Sequence, residues 1–349
     1  MKLRQAGAVF LGKLNMSGLP GGIPPARNPW NLEHVPGGSS TGSGAAVSAG
    51  LCMGALGEDT AGSIRNPASF SGIAGLKPTY GRISRYGLAP LGWSLDHCGP
   101  MARVVEDIAH MLQAIAGFDS KDTTSSRAPV PDYSKALRED VNGLVVGVPR
   151  KYIREINTSP EVLALVNKAI ADLESLGAVV VEIEIPCLEY ATIATAVIYA
   201  TEFYNVCKND LAQALEITSE SRRARLYLSA LSSASDYIQA QRLRSRLRRE
   251  LAEVFHKVDV LALPSSPTPA PASKDVDPLD TIYKQLIPDF VSPFNLAGVP
   301  AMTIPCGFSG NNLPVGMQLV GKPFGEAVVL RAGYTYQQAV RWHEKFPPI

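Results

Sequence analysis

The stretch PGGSSTGSGAAVSAGLCMGALGEDTAGSIRNPASFSGIAGLKPTYGRISRYGLAPLGWSLDHCGP, residues 36–100, decides the fold of this chain. It contains two clusters of glycine and hydroxyl residues, GGSSTGSG at 37–44 and TAGS at 60–63, separated by a short apolar run. Glycine tolerates positive φ and lets a ligand approach the backbone closely. Successive backbone N–H groups in such loops can form a concave anion site. A serine at the end of one cluster is therefore placed like a nucleophile beside an oxyanion hole.

The order and spacing of these clusters resemble the signature of the amidase signature family. That signature runs GGSSGGS, then an apolar helix, then DTGGSIRxPA, and the second block here reads DTAGSIRNPA at 59–68. Ser39 and Ser63 are 24 positions apart, which matches the family's spacing. Further matches follow at 75–79 (GLKPT) and 295–301 (NLAGVPA). The resemblance is therefore long and ordered.

The pattern of elements favours an α/β fold. A strand at 144–149, an amphipathic helix at 160–176 and an alternating strand at 178–185 predict a parallel β-α-β unit. The resemblance implies one mixed, twisted sheet covered on both faces by helices, with its centre formed by both ends of the chain. We expect a single amidase signature domain over 1–349, with its signature core at 36–100.

Apolar periodicity predicts the remaining elements. Residues 6–13 favour a short buried strand, or the end of a helix that feeds one. The other expected helices lie at 43–50, 67–70, 104–116, most of 190–257, and 328–340, and the other expected strands at 51–57, 258–263, 301–305 and 315–319. Polar and proline-rich residues predict surface connections at 119–133 and 265–273.

Composition excludes several classes of protein. The net charge of +1 gives no overall field for nucleic acid or a membrane surface, and no apolar run reaches transmembrane length. A signal peptide is disfavoured because Lys13 interrupts the short apolar run at 6–11. Five scattered cysteines without CxxC spacing predict a reducing compartment, which indicates the cytoplasm. The histidines have no metal-ligand spacing, so we expect neither metal nor cofactor.

The resemblance implies a role for each residue of the two clusters. Ser63 is expected as the nucleophile, and Ser39, on a cis peptide, as the relay that passes its proton to a lysine. The expected oxyanion-hole donors are the backbone N–H groups of Thr60, Ala61, Gly62 and Ser63. The expected structural supports are Asp59, Arg65, Ser40 and Gly38. The expected walls of the substrate pocket are Met16, Trp93 and residues 292–296.

Three departures from the family pattern matter. Ala61 replaces a glycine, which requires a negative φ at that position. Thr41 also replaces a glycine, with no expected consequence. The family lysine lies in an upstream motif resembling IKDN, which no residue here occupies, so we expect a chain that is incomplete at its N-terminus. Lys13 or Lys77 could substitute only with a lowered pKa.

The same motifs fit other interpretations less well. GSSTG at 38–42 fits the nucleophile elbow GxSxG, with Ser40 as nucleophile and His97 or His256 as base, but a loop precedes it where that motif needs a strand. No GK[ST] follows for a phosphate loop. Each cluster alone could be a tight turn. The five arginines of 242–249 suggest a nucleic-acid patch, but their alternation with leucines favours a solvated helix face.

Three functions remain open from the sequence. The first is a free-standing serine amidase that hydrolyses a carboxamide or related C–N bond of a small molecule, as a possible homodimer. The second is the glutaminase subunit of a tRNA-dependent amidotransferase, with partner subunits. The third is a non-catalytic remnant, because of the missing lysine. Residues 86–97 look more like the free amidases, which favours the first.

Overall fold

The computed structural model describes residues 2–16, 26–137, 140–210, 223, 226–227, 229–276 and 287–348. Its strands in chain order are β1 (Gly54–Asp59), β2 (Ala74–Lys77), β3 (His97–Ala102), β4 (Val145–Val148), β5 (Val179–Glu182), β6 (Val260–Pro264), β7 (Ala301–Phe308) and β8 (Pro314–Gly321). They form one eight-stranded sheet in the order β1-β3-β2-β7-β8-β6-β4-β5.

The sheet is mixed, as expected. β4 pairs in parallel with β5 and β6, and the other neighbours pair antiparallel. The predicted parallel β-α-β unit is therefore confirmed. The centre of the sheet contains the C-terminal pair β7 and β8, but the N-terminal strand β1 lies at an edge. The expectation that both chain ends form the centre is right only for the C-terminal end.

Helices cover both faces of the sheet. They are α1 (Lys2–Gln5), α2 (Thr41–Ser48), α3 (Arg65–Ser71), α4 (Val105–Ile115), α5 (Tyr133–Ala136), α6 (Arg150–Glu155), α7 (Pro160–Ser175), α8 (Leu188–Cys207), α9 (Ala234–Val254), α10 (Ser292–Ala297) and α11 (Glu326–Val340). Every residue of β2, β6 and β8 is buried. Because successive side chains of a strand point to opposite faces, both faces must be covered. Among the described residues, no helix is both long and apolar enough to cross a bilayer.

Local sequence explains the best-predicted helices. The Ser159 side chain accepts from the Val162 N–H at the start of α7, and Pro160 occupies the first turn, where its missing N–H costs nothing. The longer α9 begins with a capping box formed by Ser233 and Asp236. The part of the expected helix 190–257 that covers 211–222 lies outside the described residues.

The predicted buried strand at 6–13 is wrong. This segment is extended but exposed, with 85% of Val9 and 74% of Leu11 accessible. Backbone groups of the edge strand β1 form hydrogen bonds with serine hydroxyls at the start of α2, and not with a neighbouring strand at 6–13. The Ser43 hydroxyl donates to the Leu56 carbonyl oxygen at 2.9 Å, and the Glu58 N–H donates to the Ser40 hydroxyl at 3.1 Å.

Two strands, β2 and β3, were not predicted. Both contain glycine, and β3 also contains proline, which lowers strand propensity. Their burial is nevertheless complete, because the small residues allow close approach. A Cβ atom at Gly99 would lie 2.0 Å from the Leu76 carbonyl oxygen, so only glycine fits there.

Candidate active site

The two signature loops meet. The peptide bond between Gly38 and Ser39 is cis. The next N–H, that of Ser40, donates to the Ser63 carbonyl oxygen at 3.3 Å. Gly37 has φ of +84° and packs so closely on α3 that a Cβ would lie 2.7 Å from the Pro67 Cα. The sequence-predicted pair Ser39 and Ser63 is therefore brought into one site.

Ser63 is half-buried and ends the second loop just before α3 begins. Its neighbour Gly62 has φ of +116°, and a Cβ there would lie 2.4 Å from the Val291 Cγ2. Glycine is therefore required at 62 for both conformation and space. Ala61 is not among the residues of positive φ, so the condition for its methyl group is met.

The Asp59 carboxylate fixes the conformation of this loop by accepting two backbone hydrogen bonds. Its Oδ1 accepts from the Gly62 N–H at 2.6 Å, and its Oδ2 accepts from the Ile64 N–H at 3.1 Å. The Gly62 N–H therefore points towards the buried Asp59 and already donates a hydrogen bond to it, so it is not available to an oxyanion. Of the four expected oxyanion-hole donors, the N–H groups of Thr60, Ala61 and Ser63 are left.

Asp59 and Arg65 form a fully buried ion pair, with Nε to Oδ2 at 3.1 Å. Burial alone would raise the pKa of Asp59, but the charge and hydrogen bonds of Arg65 hold that pKa well below its usual range. The Arg65 Nη1 also donates to the Gln318 Oε1 at 2.7 Å and to the Val291 carbonyl oxygen at 2.8 Å. Arg65 therefore ties the loop to β8 and to the segment before α10.

A second buried carboxylate, Asp96, was not predicted from the sequence. The Thr60 hydroxyl donates to its Oδ1 at 2.7 Å, and the N–H groups of Leu91 and Gly92 donate to it at 2.9 Å each. Burial raises the pKa of Asp96, and these hydrogen bonds oppose the rise. Asp96 thereby holds the loop containing Trp93 against the nucleophile loop, and no spacing pattern in the sequence indicates it.

The expected pocket residues have different environments. Trp93 is half-exposed, and the guanidinium of Arg85 lies 4.8 Å from its ring and 4.7 Å from that of Tyr80. Met16 is half-buried. Residues 292–296, expected in the pocket wall, belong to α10 and are buried, so their place in a substrate pocket stays a prediction.

The nucleophile-elbow interpretation does not fit the geometry. Ser40 is 1% exposed, and its hydroxyl is engaged with the N–H and the carbonyl oxygen of Glu58. His97 is fully buried in β3, where its Nδ1 lies 2.6 Å from the Leu95 carbonyl oxygen. His256 is exposed after α9. Ser40 therefore serves as structural support for β1.

The two alternative lysines have different environments, and Lys77 meets the condition of a lowered pKa. Lys77 is fully buried, and its Nζ donates to the carbonyl oxygens of Pro78 and Val299. Burial, with the charge of Arg65, lowers the pKa of Lys77 well below its usual value. Lys13 lies on the exposed N-terminal segment.

The arginines of α9 divide into two groups. Arg242, Arg246 and Arg249 lie at the protein surface, as the solvated-face interpretation predicts. Arg244 is buried and donates from Nε to the Leu296 carbonyl oxygen at 2.7 Å. The same guanidinium bonds to Ser94. Arg244 therefore connects the end of α10 with the loop that carries Trp93.

Comparison with known proteins places these features in a family. A family model described as Amidase matches residues 1–330. The A subunit of the glutamyl-tRNA(Gln) amidotransferase of Moorella thermoacetica is 44% identical over the whole chain, which covers 77% of that protein. The crystal structure of the corresponding protein from Thermotoga maritima superposes with a TM-score of 0.85 at 37% identity, over 97% of this chain and 75% of that one.

The solved structure of a peptide amidase is also similar. The peptide amidase of Stenotrophomonas maltophilia superposes with a TM-score of 0.80 at 30% identity, over 100% of this chain and 77% of that one. The match therefore spans nearly the whole chain in sequence and in structure. The chain belongs to the amidase signature family.

Proposed function

We propose that this chain cleaves a primary carboxamide through Ser63 and releases ammonia, as the glutaminase subunit of an amidotransferase. The observation that carries the proposal is the hydrogen bond between the Ser40 N–H and the Ser63 carbonyl oxygen, because it joins the two loops into one site. Asp59 and Arg65, both fully buried, hold the second loop in a fixed conformation. Such preorganisation is what stabilisation of a developing oxyanion requires.

The reaction has two halves. The Ser63 Oγ attacks the amide carbon while its proton passes to the Ser39 Oγ, which gives up its own proton to a base. The N–H groups of Thr60, Ala61 and Ser63 are left for the resulting oxyanion, and each one that donates to it contributes about 3 kcal/mol. The C–N bond then breaks as the nitrogen takes back the proton, so ammonia leaves and an ester forms on Ser63. Water hydrolyses that ester by the same steps in reverse.

The final proton acceptor is a neutral lysine by resemblance, and that lysine lies outside the two clusters. The Lys77 Nζ donates to the carbonyl oxygens of Pro78 and Val299, and within the described residues no hydrogen bond joins it to Ser39 or Ser63. We therefore assign Lys77 to the support of β2 and the chain after α10. We accordingly propose that neither Lys77 nor the exposed Lys13 is the base.

The choice of glutamine rests on the relatives. Residues 86–97 favour a free amidase, but identity over the whole chain is higher to the Moorella amidotransferase protein, at 44%, than to the peptide amidase, at 30%. In this proposal, partner subunits receive the ammonia that the chain releases. No disulfide joins Cys52, Cys98, Cys187 and Cys306 within the described part of the chain, which supports the proposed cytoplasmic location.

Ammonia release from glutamine tests this function. Purified chain, alone and with partner subunits of an amidotransferase, is incubated with glutamine or with a peptide amide. We expect release from glutamine that the partners increase and that Ser63→Ala abolishes. Release from the peptide amide alone would instead favour a free amidase.

A further inference from the structure

A single amide side chain, Asn295, connects the C-terminal part of the chain to the nucleophile loop. Asn295 is fully buried on α10. Its Nδ2 donates to the Asp59 Oδ1 at 2.8 Å and to the Asp59 carbonyl oxygen at 2.9 Å. Its Oδ1 accepts from the Arg65 Nη2. Asn295 thus contacts both members of the buried ion pair from a distant part of the sequence.

The chemistry of the site requires an amide. A carboxylate accepts hydrogen bonds, whereas a guanidinium only donates. A side chain that satisfies both at once needs a donor and an acceptor on the same group, which Asn295 provides. An aspartate there would place a second negative charge beside Asp59, and a leucine would leave buried polar groups without partners.

The atom that Asn295 contacts is the one that orients the loop. The Asp59 Oδ1 accepts from Asn295 at 2.8 Å and from the Gly62 N–H at 2.6 Å. Gly62 immediately precedes Ser63. A displacement of the carboxylate would therefore turn the peptide that leads into the nucleophile.

The helix that carries Asn295 is held at both ends by hydrogen bonds with charged side chains. Asp289 accepts from the Val291 and Ser292 N–H groups at the start of α10, at 2.7 and 2.6 Å. Arg244 donates to the Leu296 carbonyl oxygen at the other end, at 2.7 Å. The segment cannot shift alone, because the Val291 side chain packs directly on Gly62.

We propose that Asn295 is a positioning residue for the reaction at Ser63, acting through Asp59 and Gly62. This inference rests on the proposed function of Ser63. Asn295 keeps the carboxylate in the orientation that turns the Gly62 N–H inward. That orientation leaves the Thr60, Ala61 and Ser63 N–H groups for the oxyanion.

The test measures the rate of covalent labelling of Ser63 by a fluorophosphonate as a function of pH, in the full chain. Asn295→Leu is expected to reduce the rate roughly ten- to a hundredfold, because small misplacements of reacting groups have effects of this size. The loss should be similar at every pH at which the wild type is labelled, because Asp59, whose pKa lies well below its usual range, stays ionised there.

Gln318→Met is the matched control for that variant. Gln318 is equally buried and accepts from the Arg65 Nη1 at 2.7 Å, while its own amide donates to the Phe290 carbonyl oxygen at 2.6 Å. Its replacement therefore disturbs Arg65 but keeps the Asn295 donors on Asp59. We expect Gln318→Met to lose less of the labelling rate than Asn295→Leu does.

Asn295→Asp provides a second readout. A protonated aspartate can donate to Asp59 and accept from Arg65, as the amide does, whereas an ionised one cannot. We expect the labelling rate of this variant to recover as the pH falls, while the wild-type rate falls. This recovery keeps the proposal testable if Asn295→Leu does not fold.

The outcomes are distinct. Absence of labelling in the wild-type chain would overturn the proposed function itself. A labelled wild type with an unchanged rate in Asn295→Leu would overturn the role of Asn295. An equal loss of rate in Gln318→Met, or no recovery of Asn295→Asp at low pH, would also overturn it by showing a general structural effect.

Discussion

The Gly62 N–H donates to the Asp59 Oδ1 at 2.6 Å, immediately before the proposed nucleophile. The Gly62 N–H therefore stabilises the folded loop and does not bind the substrate. The site depends on a buried carboxylate that touches no substrate in the proposed mechanism. Stability and reactivity of this loop should consequently change together.

Gly62→Ala should destabilise the chain strongly. Its φ of +116° and its contact with Val291 both exclude a methyl group. Left-handed backbone and overpacking together correspond to about 2–4 kcal/mol in the free energy of unfolding. Urea denaturation measures this loss.

Ala61→Gly is the matched control for that prediction. Position 61 does not have positive φ, so the change only adds freedom to the unfolded chain, by about 0.4–1 kcal/mol. Equal losses for the two variants would contradict the loop conformation described above.

Lys77→Met should change how stability depends on pH. Burial lowers the pKa of Lys77 in the folded chain, whereas the unfolded lysine has a pKa of about 10.4. Folding therefore releases a proton between these two values, and wild-type stability rises with pH there by about 1.4 kcal/mol per unit. The variant lacks this term, so its stability relative to wild type should fall as the pH rises from about 8 to 10. Urea denaturation across this pH range measures it, and a difference independent of pH would mean that folded Lys77 is charged.

Arg244→Met should cost about 2–4 kcal/mol of unfolding free energy, because it leaves the buried Leu296 carbonyl and the Ser94 groups without their donor. Arg246→Met is the control on the same helix. Its exposed pair with Glu250 at 2.9 Å contributes little to stability, because water screens the two charges. Thermal denaturation of both variants compares them directly. Similar small losses would show that Arg244 also belongs to the solvated face.

Local patterns in the sequence predicted the parts of the fold that local physics determines. The β4-α7-β5 unit follows from apolar runs and from the cap at Ser159, so its parallel pairing was predictable. The spacing of Ser39 and Ser63 predicted that both belong to one site. Strands β2 and β3 were not predicted, because they are short and contain glycine or proline, which have low strand propensity.

Long-range partners could not be predicted. Asp96 and Asn295 contact the nucleophile loop across 36 and 236 positions, and no periodicity links residues so far apart. All six residues of α10 are buried, and its sequence is too short to show by periodicity which neighbours each side chain contacts. The direction of the Gly62 N–H depends on a carboxylate whose orientation is set by such partners.

The central claim is that Ser63 is an activated nucleophile, and covalent labelling tests it most directly. The wild-type chain is treated with a fluorophosphonate, and its intact mass is measured beside Ser63→Ala and Ser40→Ala. We predict one adduct on the wild type and on Ser40→Ala, since the buried Ser40 hydroxyl supports β1, and none on Ser63→Ala. No adduct on folded wild type, or an adduct that persists in Ser63→Ala, would contradict this claim.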